Sequence, residues 1–185
     1  MRPHSESDPR SDEDLVIAAR AGDSAAFEAL YYRYRDWVTR LAHRWTGHPD
    51  DALDVLQETF IYLLGKLPGL RLSARMTTFL YPVVKHLAQA ARRKRGRFAS
   101  DEAAMSAAAA VASESGPMAR ADLLEVLSGL PQAQRETVLM RFVDDMELHE
   151  IGEVQAVPTG TVKSRLHHAL AALRADPRTR RYFGA

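Results

Sequence analysis

Leu148-His149-Glu150-Ile151-Gly152-Glu153-Val154-Gln155-Ala156-Val157-Pro158-Thr159-Gly160-Thr161-Val162-Lys163-Ser164-Arg165-Leu166 is the stretch on which the reading of this chain turns. Its pattern is two helices joined by a tight turn. Leu148, Ile151 and Val154 share one face of a short first helix. Gly152 is small enough for a second helix to cross closely. Pro158 ends the turn, and Thr159 is a good N-cap for the next helix. Val162, Leu166, Ala169, Leu170 and Leu173 then recur at helical spacing as a buried stripe, leaving Lys163, Ser164, Arg165, His167 and His168 on the other face. A helix-turn-helix sets the N-terminal part of its second helix against base edges in the major groove. Thr159, Thr161 and Ser164 can bond phosphates or bases there, and Lys163 and Arg165 suit phosphate or guanine. A solvated amphipathic hairpin shares the pattern, so charge is the arbiter. Residues 119–158 carry 3 basic and 8 acidic residues, whereas 159–185 carry 6 basic and 1 acidic. Positive charge begins at the second helix, where a DNA-facing surface needs it.

Composition narrows the remaining choices. The 185 residues allow one domain or two small ones, and a net charge of +1 says little by itself. Cysteine is absent, which excludes disulfides and thiolate zinc sites within the chain. No apolar run approaches the roughly 18–20 residues that span a bilayer, and no signal peptide is visible, so a cytoplasmic protein without membrane insertion is expected. His167 and His168 are neighbours in sequence and diverge by about 100° on a helix, so no metal site is expected there, and no cofactor is expected elsewhere.

Helical periodicity dominates the rest. A short helix from Leu15 to Arg20 is broken and recapped at Gly22-Asp23-Ser24. Phe27, Leu30, Tyr31, Tyr34, Val38, Leu41 and Trp45 mark a long helix, and Leu53, Leu56, Phe60, Leu63, Leu64 and Leu67 the next. A loop is expected from Lys66 to Thr78. Leu80, Val83, Val84, Leu87, Ala88 and Ala91 form a third stripe, with an irregular start expected at Pro82. It leads into Arg92-Arg93-Lys94-Arg95-Gly96-Arg97, five positive charges in six positions. Residues 98–118 hold eight alanines and few large apolar residues, ending in a Gly116-Pro117 stop, and read as a flexible linker. Leu123, Leu124, Leu127 and Leu130, then Val138, Leu139 and Phe142 behind Pro131, begin a second unit. The expected organisation is all-α: a disordered tail 1–11, a helical unit 12–97, the linker 98–118, a helix-turn-helix unit 119–177 and a basic tail 178–185. With so few apolar anchors in the linker, the two units are expected to share little interface.

Several strings together resemble the bacterial RNA polymerase sigma factors of the extracytoplasmic function (ECF) type. Asp51-Ala52-Leu53-Asp54-Val55-Leu56-Gln57-Glu58-Thr59-Phe60 is similar to the family's region-two helix that docks on core polymerase. Phe79-Leu80-Tyr81-Pro82-Val83-Val84-Lys85-His86-Leu87-Ala88 resembles its promoter-melting helix. Leu130-Pro131-Gln132-Ala133-Gln134-Arg135-Glu136 and Val157 to Leu166 resemble region four. The match covers about residues 12–175. The chain departs from the family where His86 stands for an Asn, Ala90 for an acid, Phe79 for a Trp, Pro82 for an Arg and Ala156 for the turn glycine.

The resemblance implies a non-enzymatic factor that directs core RNA polymerase to promoters, engaging its clamp helices and flap region. It implies −35 duplex readout through Thr159, Thr161, Lys163, Ser164, Arg165, His167 and His168. Capture of the displaced −10 strand would fall to Lys85, His86, Arg92, Arg93, Lys94 and Arg95, with the loop carrying Arg71 and Arg75 as the base pocket. Asp51, Asp54, Gln57 and Glu58 would meet the polymerase, and an anti-sigma factor would be a further partner. The basic run also fits a merely solvated helix end, and Phe79 and Tyr81 fit core positions better than stacking platforms. The competing class is a helix-turn-helix regulator with a helical sensor domain, which would need a ligand pocket within 12–97.

Overall fold

The computed structural model describes residues 8–94 and 117–180, and among these every regular element is a helix. The first unit holds α1 (Asp12–Arg20), α2 (Ser24–Thr46), α3 (Pro49–Lys66), a 3-10 turn (Leu67–Gly69) and α4 (Met76–Lys94). The second holds α5 (Pro117–Ser128), α6 (Gln132–Phe142), α7 (Leu148–Gln155) and α8 (Thr159–Ala175). Arg95, residues 98–116 of the expected linker and 181–185 of the expected basic tail lie outside the described residues.

Local chemistry places the boundaries. Ser11 caps α1 by accepting from the Asp14 amide, and Asp23 caps α2 by accepting from the amides of Ala25 and Ala26. Gly47 closes α2 in the left-handed region at φ 70°, and Pro49 opens α3 at a position where a missing N–H costs nothing. Pro117 likewise begins α5, so a helix starts at the proline of the expected Gly116-Pro117 stop. The Lys66–Thr78 loop is shorter than expected, because α3 runs through Lys66 and α4 starts at Met76. The helix therefore passes through Pro82 and does not begin there; only the donor to the Thr78 carbonyl is lost. Arg10 and Arg33 tie down residues 8–11 of the expected tail. Arg33 donates to the carbonyls of Asp8 and Arg10 at 2.6 and 2.9 Å, and Arg10 bridges Asp8 and Asp23 at 2.8 and 3.1 Å.

α2, α3 and α4 pack on one another, with α1 laid against α2. Their core is Leu30, Val38, Leu41, Val55, Phe60, Leu63, Met76, Leu80, Tyr81 and Val84. The Phe60 ring meets Phe27 and Tyr31 edge-on at 6.3 and 4.8 Å. Leu53 and Leu64 do not join this core; they are 51% and 54% exposed. The apolar stripe of α3 is thus narrower than the leucine count suggested. The second unit has its own cluster of Val126, Leu127, Leu130, Val138, Leu139, Ala169 and Leu173, from which Phe142, 56% exposed, is excluded.

The units also meet, contrary to the expectation of little shared interface. Met140, Met146, Ile151 and Val162 of the second unit belong to the same apolar cluster as the core of the first, and α7 packs on α4. The short α7 is covered by α8 and α6 of its own unit and by α4 of the first. Arg44 and Asp144, 3% and 5% exposed, pair at 2.5 Å across this seam.

Candidate nucleic-acid interface

The helix-turn-helix is α7, the turn 156–158 and α8. Glu147 and Glu150 form a reciprocal capping box at the start of α7. Ala156 turns the chain at φ 52°, in the left-handed region that glycine adopts more cheaply. Gly152 is required by contact: a Cβ there would lie 2.8 Å from the Val157 carbonyl oxygen. The close approach is therefore by the turn backbone. Thr159 is the first residue of α8, and Pro158 stands at the cap position that sequence assigned to Thr159.

Val162, Ala169 and Leu173 anchor α8, while Lys163, Ser164, His167 and His168 project from its exposed side. Thr159 and Thr161 are half-buried. The His167 and His168 rings stand 5.6 Å apart, edge to face. Among the described residues no group of three His, Cys, Asp or Glu side chains is arranged to hold a metal ion. Arg165 differs from its neighbours. It is half-buried and its Nη1 donates to Gln155 Oε1 at 2.7 Å. Gln155 Nε2 in turn donates to Thr137 Oγ1 at 3.0 Å, and Thr137 donates to the Ala133 carbonyl at 2.6 Å. This relay ties α8 to α7 and α6. Gln155 carries no sequence signal of its own, because the contact that gives it a role joins three helices.

The basic residues of the first unit lie on α4 and the loop before it. His86, Arg93, Lys94, Arg71 and Arg75 are exposed. Arg92 is half-buried and donates to the Trp45 carbonyl at 3.0 Å, fixing the end of α4 to α2. Lys85 Nζ sits 4.7 Å above the Trp45 ring and 2.8 Å from Glu136 of α6. A cavity of about 340 Å³ is lined by Arg71, Ser73, Thr78 and Phe79 of the first unit and Glu153 and Val154 of the second. Tyr81 is a core residue; its burial drives the phenol pKa far above its ordinary value. Phe79 is half-buried, its ring 6.4 Å from Tyr62.

On α3 the side chains of Asp54, Gln57 and Glu58 are exposed, together with Leu53, Ile61 and Leu64. Their spacing puts them on one face. Asp51 is apart from them, 7% exposed. Burial raises the Asp144 carboxyl pKa above its ordinary value, against the opposing pull of Arg44.

Comparison with known proteins agrees with this arrangement. The family models "Sigma-70 region 2" and "Sigma-70, region 4" match residues 30–98 and 126–175. The chain is 28% identical over 177 residues to the ECF RNA polymerase sigma factor SigW of Bacillus subtilis, covering 88% of this chain and 95% of that one. It is 30% identical over 176 residues to the ECF RNA polymerase sigma factor SigE of Mycolicibacterium smegmatis, covering 89% and 68%. Among solved structures, the fold matches CnrH in complex with the cytosolic domain of CnrY at a TM-score of 0.66 and 21% identity, covering 89% of this chain and 95% of that one. It also matches the sigma factor RpoE of Bartonella quintana, in complex with the anti-sigma factor NepR, at 0.58 and 18%, covering 80% and 94%. With region 2 in its first unit and region 4 in its second, the chain belongs to the ECF RNA polymerase sigma factors, the alternative sigma factors that direct transcription initiation.

Proposed function

We propose that this sigma factor works through three surfaces, each made of the residues just described, and that the chemistry belongs to the polymerase. The observation that carries the reading is the exposed face of α3. Leu53, Ile61 and Leu64, the last two 68% and 54% exposed, line up with Asp54, Gln57 and Glu58. Apolar side chains ringed by carboxylates suit a basic, partly apolar partner helix, as the clamp helices of core polymerase would offer. The second surface is the exposed side of α8. Lys163, Ser164, His167 and His168 would face the −35 groove, with Thr159 and Thr161 near the helix N-terminus for phosphate. Arg165 braces α8 against Gln155 and would act at the edge of that surface. The third surface is α4 with its preceding loop. Lys85, His86, Arg92, Arg93 and Lys94 would follow the −10 strand, and the cavity beside Arg71, Thr78 and Phe79 would receive an unstacked base.

Such a factor acts where the polymerase is, in the cytoplasm, and among the described residues no helix is long and apolar enough to cross a membrane. Two structural neighbours were solved with CnrY and with the anti-sigma factor NepR, and an inhibitor of that class is part of the reading for this chain. The test is charge reversal on α3. Asp54→Lys with Glu58→Lys should lower core affinity by at least about tenfold, equivalent to about 1.4 kcal/mol, with helical circular dichroism unchanged. Copurification with core at the wild-type level would reject this surface.

A further inference from the structure

The exposed side of α8 carries little permanent charge in the part that a groove would receive. Over Thr159–His168, Lys163 is the one exposed side chain whose positive charge does not depend on pH; Arg165 is half-buried and held by Gln155 at 2.7 Å. The other basic side chains of that stretch are His167 and His168, both exposed, with their rings 5.6 Å apart. Imidazole is the side chain that gains or loses its charge between about pH 5 and 8. The exposed face of this stretch therefore holds one positive charge when both rings are neutral and three when both are protonated. Nothing within the chain fixes that charge, because among the described residues neither imidazole has an ion pair. The charged groups of the helices packed on α8 have other partners or stand apart. On α5 Glu125 is bound by Arg178 at 2.6 Å, and on α6 Glu136 is bound by Lys85 at 2.8 Å. Arg135 and Arg141 of α6 donate to the carbonyls of Ser128 and Met146. On α7 Glu150 meets Arg75 at 3.4 Å. Asp122 of α5, His149 and Glu153 of α7 and, two turns beyond His167, Arg174 of α8 complete the set, and none of them pairs with either ring.

We propose that protons are co-ligands of the −35 duplex: His167 and His168 take them up as α8 enters the groove, so that promoter affinity rises as pH falls. The proposal rests on the reading of the exposed side of α8 as the −35 surface. Duplex phosphates beside an imidazole favour its charged form, so the bound chain holds protons that the free chain gives up. The sign follows from that difference. The gain is absent where the rings are neutral in both states, grows as pH falls through the range in which the bound chain protonates, and is complete once the free chain is protonated too. Each charged ring that meets a phosphate also releases counterion, whereas a neutral ring in the same place can hydrogen-bond but releases none. The pH dependence and the salt dependence of promoter binding are therefore two readings of one event. Lys163 alone sets the permanent charge of the face, and the two imidazoles set how far above it the charge can rise.

The test uses core polymerase with the full chain and a fluorescent promoter fragment taken from a start site that this holoenzyme uses on a genomic library. Affinity is titrated at about pH 8 and about pH 6, each over a range of salt, for wild type, His167→Gln/His168→Gln and His167→Arg/His168→Arg. Comparing variants on the same core cancels the polymerase's own pH dependence and that of His86, which all three chains share. Wild-type affinity relative to the glutamine variant should rise at least about fivefold from the higher pH to the lower, and the wild-type slope of log affinity against log salt should steepen by about one over the same interval. The arginine variant should show at both pH values the steep slope that wild type reaches only at the lower one. Helical circular dichroism and core affinity, measured at both pH values, separate lost charge from lost fold. A folded glutamine variant whose affinity and salt slope follow wild type at both pH values would overturn the proposal. Lys163→Ala distinguishes that failure from failure of the −35 reading. If Lys163→Ala weakens promoter binding while the glutamine variant follows wild type, α8 remains the DNA surface and the proton linkage alone is rejected. If Lys163→Ala binds the promoter as wild type does, α8 is not the surface and the proposal falls with it.

Discussion

At the scale of single residues, contacts that sequence cannot display alter the expected roles. Arg165 was expected to suit phosphate or guanine, and in the structure its Nη1 donates to Gln155, which is bonded in turn to Thr137. Arg165→Ala should therefore weaken matched and scrambled −35 duplexes about equally, by about 1–2 kcal/mol, because it loosens α8 on α7. Replacing Lys163 and Ser164 should instead narrow the gap between the two duplexes. Parallel titrations at fixed salt distinguish these outcomes, and an Arg165→Ala loss confined to the matched duplex would restore it as a base reader. Gly152 was chosen for smallness, and the reason is now specific. Gly152→Ala drives a Cβ to 2.8 Å from a backbone oxygen of the turn, and backbone cannot swing aside as a side-chain end can. The substitution should cost about 1–3 kcal/mol of stability in denaturant titration and weaken −35 binding with it.

At the scale of helices, amphipathic spacing carried most of the information. The stripes of α2 and α4 and the cap at Asp23 were legible because each depends on neighbours within a few residues, whereas the positive φ at Ala156 was signalled only by the resemblance, in which a glycine stands there. Leu53, Leu64 and Phe142 misled for the complementary reason. Hydrophobicity marks burial only when a packing partner exists, and on the proposed reading of α3 that partner is core polymerase. Asp51 failed in the opposite sense, since a carboxylate grouped with Asp54 and Glu58 by sequence is turned inward by the helix. The basic end of α4 divides in the same way: Arg92 fastens the helix to the Trp45 carbonyl, while Arg93 and Lys94 stay exposed. Replacing Arg92, Arg93 and Lys94 with alanine should reduce permanganate reactivity of promoter thymines more than it reduces core binding. Equal loss of both, with lowered thermal stability, would assign the cluster to holding α4 in place.

At the scale of the whole molecule, the two-unit, all-helical organisation was readable from the break in apolar pattern after the basic cluster. The seam between the units was not. Lys85–Glu136, Arg44–Asp144 and Thr78–Glu150 join residues 51, 100 and 72 positions apart, and nothing local to any of them predicts its partner. Cores of about 60 residues are marginal alone, so sharing Met140, Met146 and Ile151 with the larger unit is a physical gain for the second unit in the free chain. A fragment of residues 119–185 should accordingly be less stable than the same segment within the full chain. The most direct measurement of the central claim is transcription in vitro by purified core polymerase on a fragmented genomic library, with and without the full chain. Discrete start sites should appear only with the chain, share an upstream element, and disappear with Asp54→Lys/Glu58→Lys. Transcripts that are identical with and without the chain, or start sites untouched by that double substitution, would contradict it.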